Sequence, residues 1–413
     1  MAAEISWKSS CRVCKSSKLE SIIDFGSIAL TGVFAKDGKE VPNAPMLLSR
    51  CSECGLCQLL HSYDSSYLYG KSYGYESHLN SSMVSHLQFK AKNLEKRFLS
   101  QISEPIVVDI ASNDGTLLAG YSNRITKVGI DPLIEVVSNC YPEGAIKINN
   151  FFTGAVYFQK VSRKANLVTS LSVIYDLDDP IKFAKEVASI LEDGGIWHFE
   201  QSYLVSMVRT LSYDTICHEH ILYLRLTDIL KILSESGFQI MEASLNEING
   251  GSIAVTAIKQ TRKLERDPFV EYLMQNERSE RFTEDYALLK FAESSKAHKK
   301  EINFLLEDYK NSGYEIFGLG ASTKGNVLLQ WCNLSDKTIE FIGDVNPRKF
   351  GLETPGSAIP IVDECEVFEK ASPKSLSLVL PWHFRSGIVA KSKEYLSKGG
   401  RLLFPLPNIE VVN

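Results

Sequence analysis

The chain has 413 residues, 44% of them hydrophobic and 23% charged, and 45 basic against 50 acidic side chains give a net charge of −5. This length exceeds one ordinary core, so two or three domains are expected, and the composition excludes disorder over the whole chain. The charge balance argues against a nucleic-acid partner, no apolar run reaches the ~18 residues of a membrane span, and the opening Met-Ala-Ala-Glu lacks a signal-peptide pattern, so a cytoplasmic protein is expected.

Residues 1–70 lack long helical patterns and hold five of the nine cysteines. Cys11-x2-Cys14 and Cys51-x2-Cys54 are paired hooks, because two intervening residues let both sulfurs turn toward one point. Four thiolates at ~2.3 Å close a tetrahedral Zn²⁺ site with no open position, so its expected role is structural. Cys57 is a spare ligand at hand. The competing reading is a set of buried reduced thiols. A redox Cys-x-x-Cys fits less well, since nothing near Cys11 has the strand-helix pattern of a thioredoxin site.

Residues 71–100 have helical periodicity, with Met83, Leu87, Leu94 and Phe98 on one stripe. From Ile106, IVVDI, KVGID, LVTSLSV and GGIWHFEQ read as strands alternating with helices, which implies a mostly parallel, doubly wound sheet. Residues 261–312 are charged and lack strand runs, so they read as one or two solvated helices. The strand pattern restarts with YEIFGLG, IEFIGDV, SLSLVLP and GRLLFPLP. The expected division is a zinc-binding domain at 1–70, an α/β domain at 71–260, a helical connector at 261–312 and a second, Rossmann-like α/β domain at 313–413.

In VVDIASNDGTLL a strand ends at Asp109, a turn of small residues follows, and a helix begins. Small residues let the backbone approach a ligand, and a helix N-terminus offers free N–H groups. One strand later, VGIDP puts Asp131 at a strand end, where a carboxylate can accept both hydroxyls of a ribose. G-x-G-x-x-G is absent. The D-x-A-x-N-D-G spacing followed by G-I-D-P resembles class I S-adenosylmethionine-dependent methyltransferases. The candidate cofactor residues are Asp109, Ala111, Asn113, Asp114, Gly115, Asp131, Pro132 and, on the LVTSLSV strand, Ser170. An ordinary strand-helix turn with a capping Asp is the plainer alternative.

FGLGASTKGN lies between a strand and a helix. Gly318 and Gly320 keep the turn open, and Lys324 adds charge at the helix start, an arrangement suited to an anion. Neither a Walker loop nor a full dinucleotide fingerprint fits. The next strand-end loop carries Asp344, Asn346 and Lys349. The rival reading is a helix cap beside a solvated lysine.

In order, CRVC, CSECGLCQL, YGYESHLNSSMVSHL, VVDIASNDGTLL, VGIDP, YDLDDP, YDTICHEH, NGGS, GLGASTKGN, DVNPRKFGLETPGSAIPI and LLFPLP resemble the sugar C-methyltransferases of deoxysugar pathways. The resemblance runs from Cys11 to about Pro405. It implies an N-terminal zinc domain, a central class I methyltransferase domain and a C-terminal Rossmann-like domain. It also implies methyl transfer from S-adenosylmethionine to C3 of a nucleotide-linked 4-keto-6-deoxyhexose.

Methylating carbon requires a carbon nucleophile, and a sugar C–H is acidic enough only beside a ketone. By resemblance, His220 is the general base, Glu219 its acidic neighbour, and Tyr75 faces the sugar, while His218 of the same loop is a further catalytic candidate. Asn249 is a candidate for polar contacts to substrate, and the resemblance implies that the C-terminal domain, with Gly318, Gly320, Ser322, Lys324, Asn326, Asp344 and Lys349 as candidates, holds the nucleotide diphosphate. Cys217 and Asp176 depart from the tyrosine and histidine of the better-known sugar enzymes, as Asp109 and Ala111 do from the usual Glu and Gly. Loop histidines satisfied in place and a packed Tyr75 are the bland readings. O-methylation, a non-sugar acceptor, a Rossmann oxidoreductase or epimerase, and a non-catalytic zinc-stabilised binding protein remain as alternatives. A nucleotide-sugar partner is expected, with the protein a monomer or homodimer.

Overall fold

The structure, a computed structural model, describes residues 5–36, 39–64, 68–69, 75–137, 140–260, 265–282 and 284–413. Tyr73 and Gly74 of the YGYES motif, and the expected domain joins at 70–71 and 261, lie outside the described residues.

The N-terminal region comprises β1 (Ile5–Trp7), β2 (Leu19–Ala29), β3 (Asn43–Cys51), β4 (Cys57–Leu59) and β5 (His61–Tyr63). The β2–β3 hairpin is antiparallel and twice breaks register, at Ser21/Ile23 and at Asp24/Ser27. The second break sits at Gly26, whose φ of +76° suits a bulge. Alternation buries Met46 and Leu48 of β3 on one face.

The central region opens with α1 (Ser81–Leu94). Its N-cap Asn80 accepts from the Ser82 and Met83 amides, and Met83, Leu87, Ala91 and Leu94 are buried at helical spacing. Then follow β6 (Ile106–Ile110), β7 (Thr126–Ile130), β8 (Ile146–Ile148), β9 (Ala165–Leu171) and β10 (Leu191–Ser202). β11 (Leu222–Tyr223), β12 (Phe238–Asn246) and β13 (Ser252–Lys259) complete it. The seven-stranded sheet has the order β12-β13-β10-β9-β6-β7-β8. β6 is parallel to both β7 and β9, so the strand order reverses there, where α/β sheets bind ligands beyond the strand ends. The antiparallel β12–β13 hairpin on the far edge was not anticipated from sequence. β11 leaves this sheet and pairs with β4, so the loop before it runs straight into the N-terminal sheet.

Residues 265–312 hold two helices, α2 (Pro268–Ser279) and α3 (Tyr286–Asn311). α3 is only partly solvated: Leu288, Phe291, Ala292, Ser295, His298, Ile302 and Leu306 are buried along one face. The C-terminal sheet comprises β14 (Glu315–Leu319), β15 (Ile342–Asp344), β16 (Ile361–Asp363), β17 (Ser375–Val379), β18 (Arg401–Phe404) and β19 (Glu410–Val412), in the order β16-β15-β14-β17-β18-β19. Its pairings are parallel except for β19. One contiguous apolar cluster reaches from Cys11 to Leu406, so the regions share a core.

Candidate active site and metal centre

The two cysteine hooks are built alike. Lys15 (φ +63°) and Gly55 (φ +79°) each close a turn, donating to the Cys11 and Cys51 carbonyls at 3.0 and 2.7 Å. The Sγ atoms of Cys11 and Cys54 are 3.6 Å apart, those of Cys14 and Cys51 3.5 Å, and all four lie within 4.8 Å of one another. Four sulfurs on a tetrahedron of ~2.3 Å bonds stand ~3.8 Å apart, so this donor set fits zinc. Cys57 is no spare ligand. It lies outside the cluster with its Sγ 3.9 Å from the Gly55 carbonyl, and burial pushes its thiol up to about 12.

The hooks reach into the central region. Buried Arg12 donates to the Leu59 and His61 carbonyls at 2.5 and 2.9 Å, to Ser62 Oγ at 2.8 Å and to Asp178 at 3.0 Å. Asp178 lines a cavity of about 590 Å³ between the ends of the central strands and the C-terminal region.

On one wall of this cavity lies the turn after β6. Asn113 (φ +48°) and Leu133 donate their amides to the two oxygens of Asp131, at 2.9 and 2.7 Å. Asp131 therefore ties the ends of β6 and β7 together, and burial raises its carboxyl. Asp109 accepts from Thr169 Oγ at 2.6 Å, and burial pushes it up to about 7 despite that bond. Asp114 is spent internally: one oxygen accepts from Thr116 N and Oγ, the other from the His78 amide and ring. Ala111 holds φ +55°, so its β-carbon is accommodated in a left-handed turn.

Asp109, Ala111, Asn113, Asp114, Asp131 and Pro132 line the cavity together; Gly115 and Ser170 do not. Gly115 is needed for packing, since a Cβ there would meet Tyr141 at 2.6 Å. Ser170 is fully buried and accepts from Trp197 Nε1 at 3.0 Å, so the strand alternation turns it away from the site. Two carboxyls at the ends of adjacent parallel strands, beside an open turn, suit S-adenosylmethionine.

The loop Tyr213–His220 forms the opposite wall. His220 donates through Nδ1 to the Thr215 carbonyl at 3.0 Å, which fixes the tautomer and leaves Nε2 with its lone pair. Burial and the charge of Lys324 push its conjugate acid down to about 3, and Tyr175 packs against the ring with centroids 4.1 Å apart. Glu219 accepts from Thr31 Oγ at 3.3 Å through one oxygen, while the other is buried with no hydrogen-bond partner among the described residues. Burial raises its carboxyl. Gly32 makes room for it, because a Cβ at Gly32 would lie 1.9 Å from Glu219 Oε1.

His218 is differently placed. It is fully buried, its Nε2 donates to the Ala44 carbonyl at 3.3 Å, and its Nδ1 accepts from the Thr31 amide at 3.4 Å. Both nitrogens are committed, so His218, which also lines the cavity, braces the loop against the N-terminal sheet and has no free ring nitrogen for proton transfer among the described contacts. Tyr75, 44% exposed, and Asn249 line the cavity, as does Asp176, whose Oδ2 accepts from Tyr69 OH at 2.7 Å while Oδ1 is buried with no partner among the described residues. Cys217 is buried and does not line the cavity.

The C-terminal region contributes Ser322, Thr323, Lys324 and Lys349 to the lining, but four expected residues stand back. A Cβ at Gly318 would meet Ile342 at 2.6 Å and one at Gly320 would meet Pro381 at 2.5 Å, so these glycines serve packing between neighbouring strands and loops. Asn326 is buried and donates to the Thr31 carbonyl at 2.8 Å. Asp344 accepts from the Ala321 and Asn346 amides, both at 2.8 Å. Sequence reasoning missed His383, a lining residue just past β17, and Glu200, a lining carboxylate that His86 and Lys90 reach at 2.8 and 2.9 Å. The position of His383 beyond the end of a parallel strand is the signal that would have found it.

Three family models match in succession: a zinc binding domain at residues 11–69, a methyltransferase domain at 83–243 and a C-methyltransferase C-terminal domain at 247–407. The C-methyltransferase NovU of Streptomyces niveus is 28% identical over 411 residues, spanning 98% of this chain and 96% of its own. The chain is an S-adenosylmethionine-dependent C-methyltransferase. Among solved structures, magnesium protoporphyrin IX methyltransferase from Synechocystis is 14% identical, covers 47% of this chain and 89% of its own, and superposes with a TM-score of 0.31. An S-adenosylmethionine-dependent methyltransferase from Clostridium acetobutylicum is 15% identical, covers 43% and 92%, and gives 0.32. Among the described residues, no helix is long and apolar enough to cross a membrane.

Proposed function

We propose that this C-methyltransferase alkylates the carbon next to a ketone, C3 of a nucleotide-linked 4-keto-6-deoxyhexose. The observation that carries this reading is His220: its Nδ1 is held by the Thr215 carbonyl, leaving Nε2 unprotonated in the cavity that also holds Asp109 and Asp131. S-adenosylmethionine, when bound, supplies the methyl electrophile. Asp131 and Asn113 position it, and Asp109 stands at the same strand end. His220 removes the proton beside the ketone, and Glu219, half-partnered and buried, orients a hydroxyl of the acceptor. Tyr75 and Asn249 flank the sugar. Ser322, Thr323 and Lys349 hold the diphosphate across the cavity, with residues 313–413 as the nucleotide-sugar domain. The cysteine hooks hold structural zinc and brace the acceptor side through Arg12.

The test is solvent exchange. In D₂O with S-adenosylhomocysteine present, the protein should wash deuterium into the position beside the ketone of thymidine-diphosphate 4-keto-6-deoxyglucose, and His220→Asn should abolish it. Exchange that persists in His220→Asn removes the base assignment. Methyl transfer to oxygen, read by carbon NMR of the product, would replace the C-alkylation reading.

A further inference from the structure

Only two cationic side chains are found among the described residues lining the cavity, Lys324 and Lys349. They are committed differently. Lys349 Nζ donates to the Ala321 carbonyl at 2.7 Å and pairs with Asp344 at 3.4 Å, so its charge is already answered. Lys324 Nζ donates to the Asn249 carbonyl at 2.7 Å, a neutral group, and makes no ion pair within 4.0 Å among the described residues. Two of its three N–H bonds remain for a ligand.

The surroundings are built to hold that ammonium in place. Lys324 stands in the first turn of α4 (Thr323–Trp331), capped by Ser322 Oγ on the Gly325 amide at 3.0 Å. This helix packs against the turn Tyr213–Thr215, whose last carbonyl fixes His220. Lys324 and His220 therefore enter the cavity from two sides of one turn. Asp214 of that turn accepts from Trp382 Nε1 at 2.8 Å, and Trp382 lies against the Asn249-Gly250-Gly251 corner, where a Cβ at Gly250 would meet the ring at 3.0 Å. Asn249 itself is held at φ +56°. A left-handed non-glycine residue is strained and persists where neighbours over-determine it. Here it aims one carbonyl at Lys324.

We propose that Lys324 is a catalytic residue whose ammonium meets the keto oxygen of the acceptor and takes the charge that develops there as His220 removes the neighbouring proton. The inference rests on the keto acceptor proposed above. The C–H bond breaks, its proton goes to His220 Nε2, and its electron pair becomes the enolate, with negative oxygen against Lys324. The enolate carbon then bonds the methyl group, the C–S bond breaks with its pair returning to sulfur, and the ketone re-forms. The charged and titratable groups facing Lys324 are Asp214, Cys217, His220 and His383. Its charge disfavours the imidazolium of His220, so the base stays neutral while the oxyanion is stabilised.

Two measurements on Lys324→Met, Lys324→Arg and Lys349→Met test this, after circular dichroism and S-adenosylhomocysteine binding establish that each variant is folded. The first is the titration of His220 followed by NMR in histidine-labelled protein. The second is solvent deuterium exchange into thymidine-diphosphate 4-keto-6-deoxyglucose at saturation. In Lys324→Met the imidazole should titrate at higher pH while exchange falls about 10²–10³-fold, the loss typical of one oxyanion donor. A stronger base with slower exchange is a combination that a merely structural lysine does not produce. Lys324→Arg should recover much of the rate, and Lys349→Met should instead raise the probe concentration needed for half-maximal exchange. Undiminished exchange in Lys324→Met overturns the proposal, as does a His220 titration that does not move. Absence of exchange in the unaltered protein would refute the keto-sugar acceptor, and the His220 titration would still decide whether Lys324 faces the base.

Discussion

The two walls of the cavity are finished to different degrees. On the cofactor wall, Asp131 has an amide on each oxygen, Asp109 has the Thr169 hydroxyl, and Asp114 is saturated by Thr116 and His78. On the acceptor wall, Glu219 Oε1 and Asp176 Oδ1 are buried with no hydrogen-bond partner among the described residues, and Lys324 has donors to spare. A buried polar atom left unpaired costs roughly 1–3 kcal/mol, so the acceptor wall holds desolvation that an incoming ligand would repay. The cofactor wall is complete by itself; the acceptor wall is completed by what binds it.

The acceptor wall also hangs from the zinc region, and the cofactor wall does not. Arg12 bonds Asp178, Thr31 contacts His218 and Glu219, and β4 pairs with β11. Among the described residues, no hydrogen bond joins residues 5–64 to the turn 109–133. The largest expected effect therefore comes from Cys51→Ala. Elemental analysis should find the bound zinc lost and the melting temperature lowered by on the order of 10 °C, because metal binding is folding free energy here. Acceptor turnover should vanish while S-adenosylhomocysteine still binds. If both activities fall together, the two walls are not separately supported.

The next effect isolates the acceptor wall. His220→Asn keeps a donor for the Thr215 carbonyl but has no basic nitrogen. Turnover should fall about 10³-fold, within the range for loss of a general base. The S-adenosylhomocysteine dissociation constant should stay within about twofold by calorimetry, as no shared bond is broken.

The cofactor wall was legible in sequence because its chemistry is local. Asp109, Asn113 and Asp131 sit at strand ends that the runs IVVDI and KVGID mark, and the cysteine hooks declare themselves by spacing. Ser170 misled because it lies inside β9, short of the strand end, and its hydroxyl is spent on Trp197, whereas this segment lines the cavity only from Leu171 and Ser172 onward. Gly318 and Gly320 misled for another reason. A small residue that lets a ligand approach is indistinguishable in sequence from one that lets Ile342 or Pro381 approach. The β12–β13 hairpin escaped because Gln239, Glu242 and Ser244 interrupt the apolar pattern of β12 at the sheet edge. Contacts across regions, such as Thr31 on Glu219, leave no local trace at all.

Asp131→Ala probes the finished wall. It removes the acceptor for two amides and, with it, the carboxylate proposed to hold the cofactor. A hydrogen bond to a charged group contributes roughly 1.5–3 kcal/mol, so the KM for S-adenosylmethionine should rise about 10–100-fold. The deuterium exchange rate of the acceptor should change little. A parallel loss of exchange would show that Asp131 also shapes the acceptor side.

Acidification loads both histidines of the loop with the same sign, and substitution tells them apart. Burial holds His218 down to about 4, against an ordinary value of 6.5 in the unfolded chain. Above pH 6.5 both states are neutral and the fold keeps its full stability. Below it, the unfolded chain takes the proton first, so stability falls with pH until the folded value is reached. At pH 5 the loss from His218 is about 2 kcal/mol. Thermal melts between pH 7 and 5 should slope downward, and His218→Gln should lessen that slope by its own share, leaving that of the other buried histidines, without removing turnover. A variant inactive although folded would return His218 to the chemistry.

The smallest change is Gly32→Ala. A Cβ at Gly32 falls 1.9 Å from Glu219 Oε1, so the carboxyl must rotate away and strain its 3.3 Å bond to Thr31 Oγ. The clash is with the end of a flexible side chain, which keeps the cost to stability near 1 kcal/mol. Gly32 is remote from the cofactor turn, so S-adenosylhomocysteine affinity should be unchanged. Catalysis should feel the displacement, with kcat down several-fold, because a group that orients an acceptor works only within a fraction of an ångström. Thr31→Ser, which keeps the hydroxyl, should leave kcat near its original value. If Gly32→Ala lowers affinity for the cofactor and leaves kcat alone, Glu219 belongs to the finished wall and not to the open one.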